Sequence, residues 1–231
     1  MRLSHLFIAA VTSLIATTAS ADSAGINVQF SGDYGPQQSG GAVIGNTGDV
    51  WNNLFGNVGS SALVDTSGAA TGVDLSFSAA LVYESDRNYT RFTGTSVANL
   101  MQGYLVDYLD SPGIDLHFTG LAANQIYGFW IYTQGDDNSA GRQISLSANG
   151  ADPVYATQTN AGSLALGNNY VYIVSQADAF GTVDIVGRDL NGEANINGVQ
   201  LIPVPEPTTA PLLAAGLLIV AGAAVRRRHG R

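Results

Sequence analysis

The chain has 231 residues, 45% of them hydrophobic and 12% charged, with 28 glycines and no cysteine, a composition that buries a core and excludes disulfides, thiolate metal sites and cysteine nucleophiles. Every basic residue apart from histidine is an arginine, so lysine chemistry is excluded, and the formal net charge is −9. Between Asp22 and Val204 four arginines stand against seventeen acids, a balance that repels nucleic acid and anionic membranes because both are bound through clustered Lys or Arg.

At the N-terminus Arg2 precedes an apolar run from Leu6 to Ile15, and Ala19-Ser20-Ala21 supplies the small residues that signal peptidase reads at its cleavage site. Residues 1–21 therefore read as a signal peptide cut after Ala21, which sends the chain out by the Sec route. The apolar run is shorter than the roughly 20 residues a bilayer core requires, which disfavours a retained membrane helix.

Residues 22–202 read as one exported all-β domain, rich in glycine and in short alternating segments. Ile26–Phe30 and Val73–Phe77 alternate apolar and polar residues, as half-buried strands do. The glycine-rich run Gly40–Gly48 lacks the lysine of a phosphate-binding loop and has no βαβ unit around it, so a loop or hairpin is expected. Val97, Leu100, Met101, Tyr104, Leu105 and Tyr108 recur at three- and four-residue spacing, which predicts an amphipathic helix packed across an open end of the fold, although Gly103 weakens it.

Ile114–Phe118 and Ile126–Tyr132 follow, joined by a turn at Thr119-Gly120, and are expected to form a hairpin. Ile144–Ala148, Val154–Ala156, Tyr170–Val174, Val183–Val186 and Ile196–Leu201 complete the set. So many short strands predict an antiparallel two-sheet sandwich.

From Met101 to Leu201 the order of segments resembles galactose-binding-like β-sandwich domains of jelly-roll type. The residues that carry the resemblance are Tyr108-Leu109-Asp110, the turn from Gly120 through Asn124 to Tyr127, and the closing Ile196–Leu201. It supports the architecture and leaves the ligand open.

Little catalytic chemistry is encoded. Of the three histidines only His117 falls in the exported domain, between Leu116 and Phe118 on an alternating strand, and it reads as a surface histidine without a partner. No Gly-x-Ser-x-Gly elbow exists for a serine hydrolase. Paired carboxylates such as Asp136 and Glu193 would serve a glycoside hydrolase if they met across a cleft. The domain's glutamates, Glu84 and Glu193, do not sit in the aromatic-rich apolar setting that raises an acid's pKa.

Asp136-Asp137-Asn138 in one loop, and Asp189, Asn191 and Glu193 around Gly192 in another, supply hard oxygen donors suited to calcium. Ordinary Asp/Asn/Gly turn chemistry accounts for the same residues and is preferred. Trp51 and Trp130, with Tyr34, Tyr132 and Tyr155, are candidates for stacking on sugar rings; burial in the core is the preferred reading of both tryptophans. On the strand Ile126–Tyr132 one face carries Tyr127, Phe129 and Ile131 and the other Gly128, Trp130 and Tyr132, and the sequence does not decide which is core. Nothing points to an organic cofactor.

Residues 203–231 form a separate tail: a proline-rich start, an almost purely apolar stretch from Pro211 to Val225, then Arg226, Arg227 and Arg228. An apolar span closed by arginines reads as a membrane helix with its basic end cytoplasmic. Pro205-Glu206-Pro207, the short span and the terminal arginines together resemble the PEP-CTERM sorting signal of Gram-negative bacteria that make exopolysaccharide. The resemblance implies recognition by an exosortase through Pro205, Glu206 and Pro207, with the span as an anchor held at least in transit. The expected protein is thus a non-enzymatic surface or extracellular-matrix component whose acidic sandwich serves structure or adhesion, with exopolysaccharide binding as a narrower form of that reading and a secreted carbohydrate-active enzyme as the rival.

Overall fold

A computed structural model describes residues 25–33, 35–85, 91–109 and 111–205. The expected signal peptide, with Ala19 and Ala21, and the sorting tail from Glu206 through Arg228 lie outside the described residues; Pro205 is described, and exposed. Among the described residues no helix is long and apolar enough to cross a membrane.

The described chain is all β. Its first five strands are β1 (Ile26–Ser31), β2 (Asn52–Phe55), β3 (Val58–Val64), β4 (Ala70–Ser78) and β5 (Leu81–Glu84). They are followed by β6 (Gly103–Tyr108), β7 (Ile114–Thr119), β8 (Ile126–Tyr132), β9 (Gln143–Ala148) and β10 (Val154–Thr157). The last four are β11 (Tyr170–Gln176), β12 (Val183–Asp189), β13 (Glu193–Ile196) and β14 (Gly198–Pro203).

They form a five-stranded sheet in the order β11-β8-β14-β1-β2, a six-stranded sheet in the order β10-β9-β12-β7-β4-β3, and a three-stranded sheet β13-β6-β5. The third sheet, and the parallel pairing of β1 with β2, are additions to the expected pair of antiparallel sheets. The two large sheets face each other through alternating side chains: Phe30 meets Phe77 with ring centroids 5.2 Å apart, and Phe118 meets Phe129 at 5.7 Å. Ile114, Leu116 and Phe118 of β7 point inward while Asp115, His117 and Thr119 do not, the period of two that the sequence shows. Each such fully buried side chain contributes about 1.5–3 kcal/mol.

Four local expectations are corrected. There is no helix at 97–108: residues 91–102 run as turns and β6 begins at Gly103. A Cβ on Gly103 would stand 2.7 Å from Phe30 O and from Ser31 Cα, so the glycine that weakens a helix is what lets β6 pass against β1. Val97, Leu100 and Met101 are buried with Trp51, Phe92 and Tyr132 in a second cluster on the outer side of the five-stranded sheet.

β7 and β8 form no hairpin. They lie in opposite sheets, β7 between β4 and β12 and β8 between β11 and β14, because each has an apolar face and the two faces bury each other across the sandwich.

Ile196–Leu201 is not one strand. β13 belongs to the small sheet and β14 to the five-stranded sheet, with Asn197 at the switch. Its N–H donates to Tyr132 O at 2.9 Å and its carbonyl accepts from Phe30 N at 2.8 Å. Its side-chain oxygen accepts from Gln134 N at 2.6 Å, and its amide donates to Gly103 O at 3.1 Å.

β1 is buried on both faces rather than half-buried. Gln29 on its polar face donates to Pro36 O and Asn99 O at 3.0 and 2.9 Å, and Asn27 donates to Val50 O at 3.2 Å. The loops that follow β1 and precede β6 therefore roof this sheet, satisfying polar groups that would otherwise be costly to bury.

Candidate functional site

The outer face of the five-stranded sheet divides into a roofed half and an open half. Under the roof, Trp51 is 7% exposed, donates its indole N–H to Gly40 O at 2.7 Å and packs against Tyr132 at 6.4 Å. It is a core residue. Tyr132 is fully buried; its hydroxyl donates to Gln200 Oε1 and accepts from Val43 N at 2.9 Å. Burial holds this phenol well above its ordinary pKa, so it stays neutral and able to donate. The run Gly40–Gly48 is thus a lid pinned to the sheet, the loop expected of it.

Beyond the roof lies an aromatic ledge. Tyr127, Phe129 and Ile131 of β8 face the sandwich core, and Gly128, Trp130 and Tyr132 face outward. Trp130 is half-buried and stands directly opposite Tyr172 of β11, with ring centroids 4.5 Å apart and planes tilted by 42°. Tyr172 is 39% exposed and Val174 beside it 54%. A Cβ on Gly128 would fall 2.8 Å from the Tyr172 ring and hydroxyl, so the ring rests against bare backbone, and only a residue without a side chain permits that. The arrangement offers aromatic surface to solvent on a rigid sheet, which suits stacking against the C–H face of a pyranose. The core reading of Trp130 holds in part: it is partly buried against the second cluster, and the rest of its surface meets Tyr172. The sequence named it but not Tyr172, although Tyr170-Val171-Tyr172 alternates aromatics onto one face of its strand. Of the other aromatic candidates, Tyr155 is exposed on β10 and Tyr34 lies outside the described residues.

The two acidic loops converge on an arginine instead of on one another. Arg142 bonds Glu193 at 2.5 Å and reaches Asp136 at 3.8 Å, so its guanidinium bridges the carboxylate pair named above. Asp137 pairs with Arg91 at 3.9 Å. Asp189 accepts from the backbone N–H groups of Asn191 and Gly192 at 3.0 and 2.9 Å, while Asn191 Oδ1 accepts from Gln143 N at 2.8 Å. These are turn and ion-pair roles. Among the described residues no three His, Cys, Asp or Glu side chains gather as a metal site.

His117 does have a partner: its Nδ1 lies 2.5 Å from Asp184 Oδ1 on the neighbouring strand, both side chains about half exposed. Ser76 stands opposite His117 on its other side. This row of Ser, His and Asp lies on an exposed sheet face, and the backbone N–H groups of its strands are engaged in the ladders rather than free to act as oxyanion donors. Glu84 also departs from expectation. Its Oε2 accepts from Gly32 N at 2.8 Å, its Oε1 is buried without a partner, and burial raises its pKa above the usual range.

No protein-family model matches the chain, and no curated protein matches it. Solved structures align with parts of the chain at TM-scores below 0.5. A calcium-binding mutant of Bacteroides uniformis beta-glucuronidase 2 is 15% identical with a TM-score of 0.47, the match covering 79% of this chain and 18% of that one. A family 35 carbohydrate binding module from Clostridium thermocellum is 16% identical with a TM-score of 0.35, covering 55% of this chain and 90% of that one. The C-terminal CBM6 of LamC from Zobellia galactanivorans is 14% identical with a TM-score of 0.27, covering 43% and 77%. At these identities and TM-scores the matches say nothing about what the chain does.

Proposed function

We propose that the chain is an exported, non-enzymatic surface or extracellular-matrix protein whose sandwich binds glycan through the Trp130–Tyr172 ledge. On this reading signal peptidase releases residues 1–21, and an exosortase acts on the tail through Pro205, Glu206 and Pro207, with the apolar span and Arg226–Arg228 holding the chain in the membrane during transit. The observation that carries the glycan reading is the aromatic pair at the margin of the roofed cluster, in which Trp130 packs against that cluster on one side and meets the 39% exposed Tyr172 ring on the other.

The test is binding of the full-length protein to the host's own exopolysaccharide and to a panel of neutral glycans. Trp130→Ala and Tyr172→Ala are each expected to weaken binding about tenfold, in line with the loss of a stacking aromatic, while leaving the melting transition in place. Wild-type affinity in both variants would overturn the reading.

A glycoside hydrolase remains the second reading because Asp136 and Glu193 do approach a common point. That point is held by the Arg142 guanidinium, where an acid–base pair would need room for substrate and water. Release of reducing ends from any glycan that binds would favour the enzyme.

A further inference from the structure

The charges around the ledge narrow the glycan it takes. An anionic polysaccharide is bound through guanidinium or ammonium groups able to engage carboxylate or sulfate. The sequence contains no lysine, and the exported body holds four arginines. Three of these are described, and each is paired with acid: Arg91 with Asp137 at 3.9 Å, Arg142 with Asp136 and Glu193, and Arg188 with Asp115 at 3.4 Å. None of the three stands in the row of residues around the ledge. The outward neighbours of Trp130 and Tyr172 on β8, β11 and β14 are Gly128, Tyr170, Val174, Gln176, Gln200 and Ile202, none of them charged. Among the described residues of these strands the aromatic surface thus carries no charge, and it belongs to a body in which seventeen acids outnumber four arginines. Such a field raises the energy of a polyanion wherever it approaches, and screening by salt weakens that effect.

Resting on the glycan-binding reading, we infer that the Trp130–Tyr172 ledge takes a neutral polysaccharide, one without carboxylate or sulfate, and that the protein's own charge turns anionic glycans away. Stacking supplies the attraction and is insensitive to ionic strength; the exclusion is electrostatic and sensitive to it.

The experiment uses the full-length protein in chelator, to remove calcium bridging, and measures binding to dextran, a β-glucan, a galactan and a mannan. Each polymer is offered unmodified, partly carboxymethylated and partly hydroxyethylated, so that charge is added to a constant backbone and bulk is controlled. The expected result is binding to at least one neutral polymer and its hydroxyethyl form, with the carboxymethyl form weaker by about tenfold or more in low salt. Raising the salt should narrow that gap from the anionic side and leave the neutral affinity unchanged. Equal or tighter binding of the carboxymethyl form would overturn the inference; if Trp130→Ala abolished that binding too, the ledge reading would survive without it. An absence of binding to every polymer would sink both.

Discussion

Glu84 reaches across the end of β1 to accept a hydrogen bond from Gly32 N at 2.8 Å, leaving its other carboxylate oxygen buried and unpaired. Three glycines make room for it: a Cβ on Gly35 or Gly103 would stand 2.5 or 2.7 Å from Glu84 Oε2, and one on Gly32 would stand 3.2 Å from Glu84 Cβ. The contact ties the small sheet to the five-stranded one.

Burial raises the Glu84 pKa above its ordinary 4.5, against a smaller lowering by the Gly32 N–H. The folded state therefore holds this proton more tightly than the unfolded chain does. The stability contributed by the protonated group is fully present below the unfolded pKa and is lost as pH rises through the folded one. Melting temperatures across the mildly acidic range should show this component falling with rising pH in the wild type and absent in Glu84→Gln. A parallel profile in the two proteins would contradict it.

Gly128 supports the ledge by having no side chain. Gly128→Val is expected to lift the Tyr172 ring and weaken glycan binding about as much as Tyr172→Ala does, at a stability cost of about 1–3 kcal/mol. Affinity and denaturant midpoints measured on the same samples separate the two effects. Unchanged binding in a folded Gly128→Val protein would mean that the ring's resting place does not matter.

Asn197 joins the three-stranded and five-stranded sheets through four hydrogen bonds, two of them from its side chain. Asn197→Ala strands the buried Gln134 N–H and the Gly103 carbonyl, at a cost of about 2–4 kcal/mol. Asn197→Asp retains the acceptor but not the donor and places a charge at a buried position, so it should be no better. Chemical denaturation gives both values.

Arg142 holds two carboxylates at a largely buried position. Arg142→Ala leaves Glu193 and Asp136 without that cation and should destabilise the fold by about 1–3 kcal/mol, with the double variant Arg142→Met/Glu193→Gln recovering part of the loss. Because the same carboxylates are engaged by arginines, millimolar calcium is expected to shift the melting temperature of the wild type by less than about 2 °C. A clear rise that vanished in Asp136→Asn or Glu193→Gln would restore the calcium reading of these loops.

The sequence by itself determined the chemistry the chain lacks, since no arrangement of these residues yields a cysteine thiolate or a lysine amine. It also determined the strands whose alternation is clean: β4, β7 and β12 appear where apolar and polar residues take turns, because a period of two has one low-energy solution. A single strand does not carry the identity of its neighbours. β7 and β8, adjacent in the chain, were separated into facing sheets because their apolar faces are better buried against each other than side by side. The same global pairing set Asp184 beside His117 across 67 residues and Arg142 beside Glu193 across 51. It also placed Tyr172 beside Trp130, so that an aromatic residue packed against the second cluster also meets a partly exposed ring. Alternation records which way a side chain points; only the register of strands distant in sequence decides what it meets.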